Sequence, residues 1–136
     1  MPKLHVLAVE ARLPGWAEAA CADYERRMPR GYELSRTRLK RLEPKALASK
    51  YRDWRLVALD ERGRDLTTTQ FAKVLDRDTP FVIGGADGLP PELKRSAALL
   101  LRLSALTLPH ALAQVVLVEQ IYRAATLLIG HPYHRA

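Results

Sequence analysis

The sequence predicts an α/β domain in which a mostly parallel sheet is flanked by helices. Short apolar runs rich in β-forming residues alternate with longer amphipathic stretches along the 136 residues. Prolines open several of the amphipathic stretches, where a missing N–H leaves no bond unmade. Apolar residues make up 48% of the chain, enough for a real core, and no repeat or linker interrupts it, so residues 1–136 read as one domain.

Taken in order, Lys3–Val9 is short, apolar and β-forming, and predicts a buried strand. Pro14 opens a helix whose apolar face carries Trp16, Ala19, Ala20, Tyr24 and Met28, and Pro29-Arg30-Gly31 closes it. Residues 32–39 predict a second strand despite Arg36 and Arg38, and residues 44–52 a short helix behind Pro44. Residues 55–59 (R-L-V-A-L) predict a third strand that ends in a turn at Asp60-Glu61-Arg62-Gly63. Thr67 or Thr68 can cap a helix running to about Asp76, with Phe71, Val74 and Leu75 inward. Residues 80–83 predict a fourth strand, followed by Gly84-Gly85-Ala86-Asp87-Gly88. Pro91 starts a helix ending near Leu101, residues 103–108 predict a fifth strand, and Pro109 begins a last helix that stops at Gly130.

That last helix is apolar around most of its circumference, with Glu119, Arg123 and Thr126 as a narrow polar stripe. Such a helix must be buried on two sides. One side can face the sheet, and the other then needs another subunit, so a homodimer through helix 109–130 is expected.

Charge narrows the partners. Lys and Arg number 22 against 15 Asp and Glu, a net +7 that favours a polyanion. Residues 26–55 hold eleven of the cations and three acids. Cys21 is the one thiol, so neither an internal disulfide nor a cysteine zinc site is available, and a reducing, cytoplasmic setting is expected. The apolar run at the N-terminus ends too early, at Glu10 and Arg12, for a signal peptide. Glu119 and Arg123 interrupt the longest candidate membrane span, so a soluble protein with no membrane partner is expected.

Three loops fall at the carboxyl ends of predicted strands: 59–61, 83–88 and 104–110. Parallel sheets bind ligands at that edge. The G-G-x-x-G of residues 84–88 is neither a phosphate-binding Walker loop nor a dinucleotide fingerprint, and a tight turn explains it equally well. His110, at a helix start, could move protons. The tail His131-Pro132-Tyr133-His134-Arg135 gathers groups able to stack on unpaired bases and contact phosphate. With only His5 and His110 left to help, a zinc site is not expected.

The blocks I83-G-G-A-D-G88, L103-S-A-L-T-L-P-H110, V118-E-Q-I-Y-R-A124 and H131-P-Y-H-R135, in that order and spacing, resemble the ribosomal RNA large-subunit methyltransferase H family. Weaker matches upstream, at Leu13-Pro14-x-Trp16 and Leu56-x-x-Leu59-Asp60, extend the likeness over nearly the whole chain. The resemblance implies a trefoil-knotted SPOUT methyltransferase fold, dimeric, that methylates N3 of a pseudouridine in 23S rRNA within the ribosome, with no role for DNA. It implies S-adenosylmethionine as methyl donor and no metal. Carried over by position, the cofactor pocket would be Leu59, Gly85, Ser104, Ala105, Leu106, Thr107, Leu108 and Pro109, and a bulky residue at Gly85 would fill it. Tyr133, His134 and Arg135 of one subunit, with His110, would complete a shared catalytic site. A non-catalytic RNA- or ribosome-binding protein that keeps the fold is the alternative, and it would need no open cofactor pocket. The chain departs from the family pattern in three places. The stretch between Leu34 and Trp54 is short, Gln114 stands at a usual Arg, and Glu10 stands at a usual Gly.

Overall fold

The computed structural model describes residues 1–9 and 12–133. Its elements run β1 (Lys3–Val9), α1 (Gly15–Arg27), β2 (Glu33–Leu39), α2 (Pro44–Lys50), β3 (Val57–Asp65), α3 (Thr68–Ala72), β4 (Thr79–Ile83), α4 (Pro91–Ser96), β5 (Leu99–Arg102) and α5 (His110–Ile129), with a 3-10 turn at Lys73–Asp76 extending α3. The five strands form one sheet in the order β2-β1-β4-β3-β5, and every pairing is parallel.

Central strands β1 and β4 are apolar without alternation because both faces of the sheet are covered. Leu4, Val6 and Ala8 of β1 join Phe81 and Ile83 of β4 in a core closed by α1, α3 and α5. Leu7 and Val82 point the other way, into a smaller core with Leu47 and Tyr51 of the α2 segment and Leu93 of α4. Strand β2 lies at an edge, and its charged residues have a specific use. Arg36 sits on the α1 side, where its guanidinium donates two bonds to Glu18, of 2.9 and 3.0 Å, and a third to Glu25. Those carboxylates hold Arg36 charged well above its ordinary range, although burial opposes it.

Thr67 is the helix cap, its hydroxyl accepting from Gln70 N at 3.1 Å while Gln70 reaches back to Thr67 N at 2.9 Å. Gly130 takes the left-handed conformation, with φ 76°, and ends α5 as expected.

Three boundaries differ from the sequence reading. β3 does not end at Leu59. It skips residues 60–63 as an irregularity and resumes pairing with β5 at Arg64 and Asp65. A Cβ on Gly63 would lie 2.7–2.8 Å from backbone atoms of Leu100 and Leu101, so only glycine lets the two backbones pass. α4 stops at Ser96 instead of near Leu101, because Ala98 N and Leu99 N bond to Leu56 O, at 2.9 and 3.4 Å, and draw the chain into the sheet. The fifth strand is therefore Leu99–Arg102, and residues 103–108, expected as strand, form a loop.

Helix α5 has the length and apolar composition of a membrane span, against the sequence reading that no stretch qualifies. Leu117, Val118, Ile121, Ala124 and Ala125 are nevertheless packed in the core. Thr126, expected on the polar stripe, is buried and donates to Arg123 O at 2.7 Å. Leu112, Leu128 and Ile129 of α5 are exposed, as is Trp16 of α1.

Candidate functional site at the carboxyl edge of the sheet

Because all five strands are parallel, the loops after β4 and β5 and the interruption of β3 gather on one edge. They enclose a cavity of about 560 Å³, within the range of small-molecule sites. Leu59, Ile83, Leu101 and Leu103 supply apolar wall, and residues 104–108 run past it as irregular chain. Within that stretch Leu106 N donates to Ser104 Oγ at 2.9 Å, and the Leu106 side chain stands 78% exposed. Chain outside helix and strand has backbone N–H and C=O groups to offer a ligand.

Two charged residues that the sequence reading left out of the pocket sit at its rim. Asp60 accepts from Arg62 N at 2.9 Å and pairs with Lys94 Nζ at 3.2 Å. The backbone bond first, then Lys94, holds its carboxyl below the ordinary range. Asp60 neighbours Leu59 in a loop the sequence singled out. Lys94 lies on α4 and carries no local signal, since only folding brings it to Asp60.

Of the expected pocket residues, Leu59, Gly85, Ser104, Ala105, Leu106, Thr107 and Leu108 line the cavity, and so does His110, the first residue of α5. Pro109 does not. It stands at the cap of α5, where its carbonyl accepts from Ala113 N at 2.9 Å. Gly85 acts differently from the expectation. A Cβ there would meet Val9 O at 3.0 Å and Val9 Cγ1 at 3.1 Å, so a larger residue would push against β1 before it filled the cavity.

A model of the family described as predicted SPOUT methyltransferase matches residues 2–134. A curated relative from Burkholderia vietnamiensis (strain G4 / LMG 22486), named ribosomal RNA large subunit methyltransferase H, is 46% identical over 158 residues, covering 98% of this chain and 99% of the relative. The chain belongs to the SPOUT methyltransferase family. Two solved structures share its fold. One, described as a candidate RNA methyltransferase from Bacillus anthracis, has a TM-score of 0.58 at 16% identity and covers 98% of each chain. The other, the SpoU methyltransferase AviRb from Streptomyces viridochromogenes in complex with AdoMet, has a TM-score of 0.61 at 15% identity and covers 93% of this chain and 58% of that one. The 158-residue alignment exceeds the 136 residues of this SPOUT methyltransferase, so gaps in this chain are required, in keeping with a short middle segment.

Tyr133 of this SPOUT methyltransferase does not line the cavity of its own chain. Tyr133 folds back along α5, its hydroxyl donating to Glu119 Oε2 at 2.8 Å and its ring 4.6 Å from that of Tyr122. Arg123 and Arg27 lie 5.0 and 5.7 Å from the ring centre. Burial, then Tyr24 and Glu119, pushes the Tyr133 hydroxyl well above the ordinary tyrosine range. His134, Arg135 and Glu10 lie outside the described residues. Cys21 is buried, which pushes its thiol to about 11, the behaviour of a packing residue. Among the described residues no group of three His, Cys, Asp or Glu side chains is placed to hold a metal ion.

Proposed function

We propose that this SPOUT methyltransferase transfers a methyl group from S-adenosylmethionine to N3 of a pseudouridine in large-subunit ribosomal RNA, acting in the cytoplasm as a homodimer with the trefoil-knotted threading of its family. The observation that carries the reading is the carboxyl-edge cavity. It takes seven of the eight residues expected there from the family likeness, in a chain 46% identical to a relative named as a large-subunit ribosomal RNA methyltransferase.

The residues present fit the cofactor. Leu59, Ile83, Leu101 and Leu103 would give an adenine its apolar walls, and the irregular backbone of 104–108 would meet its polar edge. When bound, S-adenosylmethionine supplies a methyl group made electrophilic by its sulfonium. The chain holds the reacting nucleoside in place, excludes water with Leu106 and the 104–108 loop, and provides a group to take the N3 proton. His110, which lines the cavity, is the candidate for that role.

The tail adds a second subunit to the site. Tyr133 is bonded to Glu119, nine residues along α5 from His110, a span of roughly 14 Å at helical rise. Tyr133 held there is away from its own cavity, which supports the reading that Tyr133, His134 and Arg135 complete the cavity of the other subunit. The exposed Leu112, Leu128, Ile129 and Trp16 offer the apolar surface for that dimer.

The deciding experiment supplies labelled S-adenosylmethionine and ribosomes lacking the modification, with mass spectrometry of the RNA. Methylation of a large-subunit pseudouridine is expected. Folded protein that binds no S-adenosylmethionine and transfers no methyl would return the chain to the binding-protein alternative.

A further inference from the structure

A second cavity, of about 580 Å³, opens on the α1/α5 side of the sheet. Its floor is Val6 and Ala8 of β1, and Leu13 and Gly15 stand at the start of α1. It is separated from the cofactor cavity by the first turns of α5, since Ala113 lines one cavity and Gln114, the next residue, lines the other.

Three polar side chains face this space without a partner among the described residues. Gln114 is 5% exposed, and its side-chain amide has no hydrogen-bond partner among the described residues. An amide that lines a cavity in this way has a donor and an acceptor to offer a ligand. Arg12 and Arg38 line the cavity and have no carboxylate. Arg36 and Glu18, which also line it, cancel each other through their bidentate bonds. The cavity therefore combines apolar floor, one amide able to donate and accept, and two guanidinium groups with no carboxylate partner among the described residues.

We propose that this cavity takes an unpaired nucleotide of the substrate RNA. Its base lies over Val6, Ala8 and Leu13, its hydrogen-bonding edge meets Gln114, and Arg12 and Arg38 take the flanking phosphates. A carboxamide matches the donor and acceptor pattern of a base edge, and guanidinium matches phosphate in a bidentate manner. The inference rests on the methyltransferase reading for the identity of the RNA, and it gives Gln114 a specificity role. An amide at this position reads a base where the usual arginine would add a third phosphate-directed charge.

The test compares unaltered protein with R12A/R38A and Q114L. Dissociation constants are measured against ribosomes lacking the modification over a range of salt concentrations, with S-adenosylmethionine affinity and sedimentation run alongside. R12A/R38A is expected to weaken ribosome binding about tenfold or more and to flatten the salt dependence by about 1.4 in log–log slope, two single-strand phosphate contacts. Cofactor affinity should not move. In the unaltered protein, uridine 5′-monophosphate should shift the Gln114 side-chain amide resonance, and neither variant should bind it as well. Unchanged ribosome affinity and salt slope in R12A/R38A, or an unmoved Gln114 amide, would overturn the proposal. So would variants that dissociate into monomers yet bind ribosomes normally, because a second copy of the chain would then fill the cavity. A protein that binds RNA through this cavity but transfers no methyl would sink the methyltransferase reading and leave the subsite standing. Full methylation by R12A/R38A at unaltered KM would do the reverse.

Discussion

At the scale of single residues, two glycines that look alike in sequence do different things. Gly63 lies where β3 crosses close to β5, and Gly85 where the β4 loop presses on Val9. Gly63→Ala is expected to destabilise the fold by about 2 kcal/mol through overpacking against backbone that cannot move aside. Urea denaturation should show it, and wild-type stability would mean that β3 and β5 part more easily than their pairing suggests. Tyr133 is the other residue whose surroundings decide its chemistry. Burial and the neighbouring Tyr24 and Glu119 keep its hydroxyl protonated. Glu119→Gln should lower the Tyr133 ionisation toward the ordinary value, readable by phenolate absorbance against a Tyr133→Phe control. Tyr133→Phe should slow methyl transfer by about tenfold if the hydroxyl acts in the site. The carboxyl edge was legible in sequence from loops that follow strands, but Leu59 and residues 104–108 were assigned to the pocket by the family likeness. Lys94 was not, because its partner Asp60 is distant in sequence and near only in the fold.

Among the elements, β2 and α2 are tied to β1 by a polar cluster inside the smaller face. His5 Nε2 lies 2.7 Å from Thr37 Oγ1, and His5 Nδ1 lies 2.7 Å from the Tyr51 hydroxyl. Burial first, and Lys50 second, lowers the His5 pKa below its ordinary value. The unfolded chain then binds a proton more readily than the folded one. Stability from this group is complete above about pH 6.5, the ordinary histidine value, and declines as the pH falls through and below it. Denaturation midpoints between pH 8 and pH 5 should drop, and a His5→Gln variant should flatten that decline. The strand alternation and the proline-opened helices made most elements readable in advance. β5 was misplaced because residues 99–102 (L-L-L-R) and 103–108 (L-S-A-L-T-L) are both short and leucine-rich. Pairing with β3 chose the first, a long-range choice that local pattern cannot make.

For the molecule as a whole, the separation of Tyr133 from its own cavity makes a testable claim about assembly. A dimer is mixed from one subunit with a blocked cavity, Ala105→Trp, and one with a blunted tail, Arg135→Ala. If the tail serves the opposite subunit, each mixed dimer keeps one intact site, and methyl transfer should reappear although each variant alone is impaired. If the mixture stays inactive while mixed dimers form, the tail acts within its own chain. The charge of the molecule also has a direction. Arg26, Arg27, Arg36, Arg41 and Arg55 of the basic segment are tied to carboxylates, whereas Arg38 and Lys40, at the carboxyl end of β2, have none among the described residues. Arg30, Lys45, Lys50 and Arg52 also lack a carboxylate partner among the described residues, but Arg38 and Lys40 are the pair at the carboxyl edge of the sheet, where the cavity lies.

The sequence by itself determined the α/β class, the mostly parallel sheet, a helix start at Thr67 or Thr68, the helix end at Gly130 and the glycine-rich loop after β4. These follow from periodicity and from the chemistry of proline, glycine and threonine, which act over a few residues. The tertiary structure decided the order β2-β1-β4-β3-β5, the course of β3 past Leu59, the pairing of Lys94 with Asp60 and the docking of Tyr133 on Glu119. Each of these joins groups far apart along the chain, and their energies depend on burial and approach that exist only once the sheet has closed.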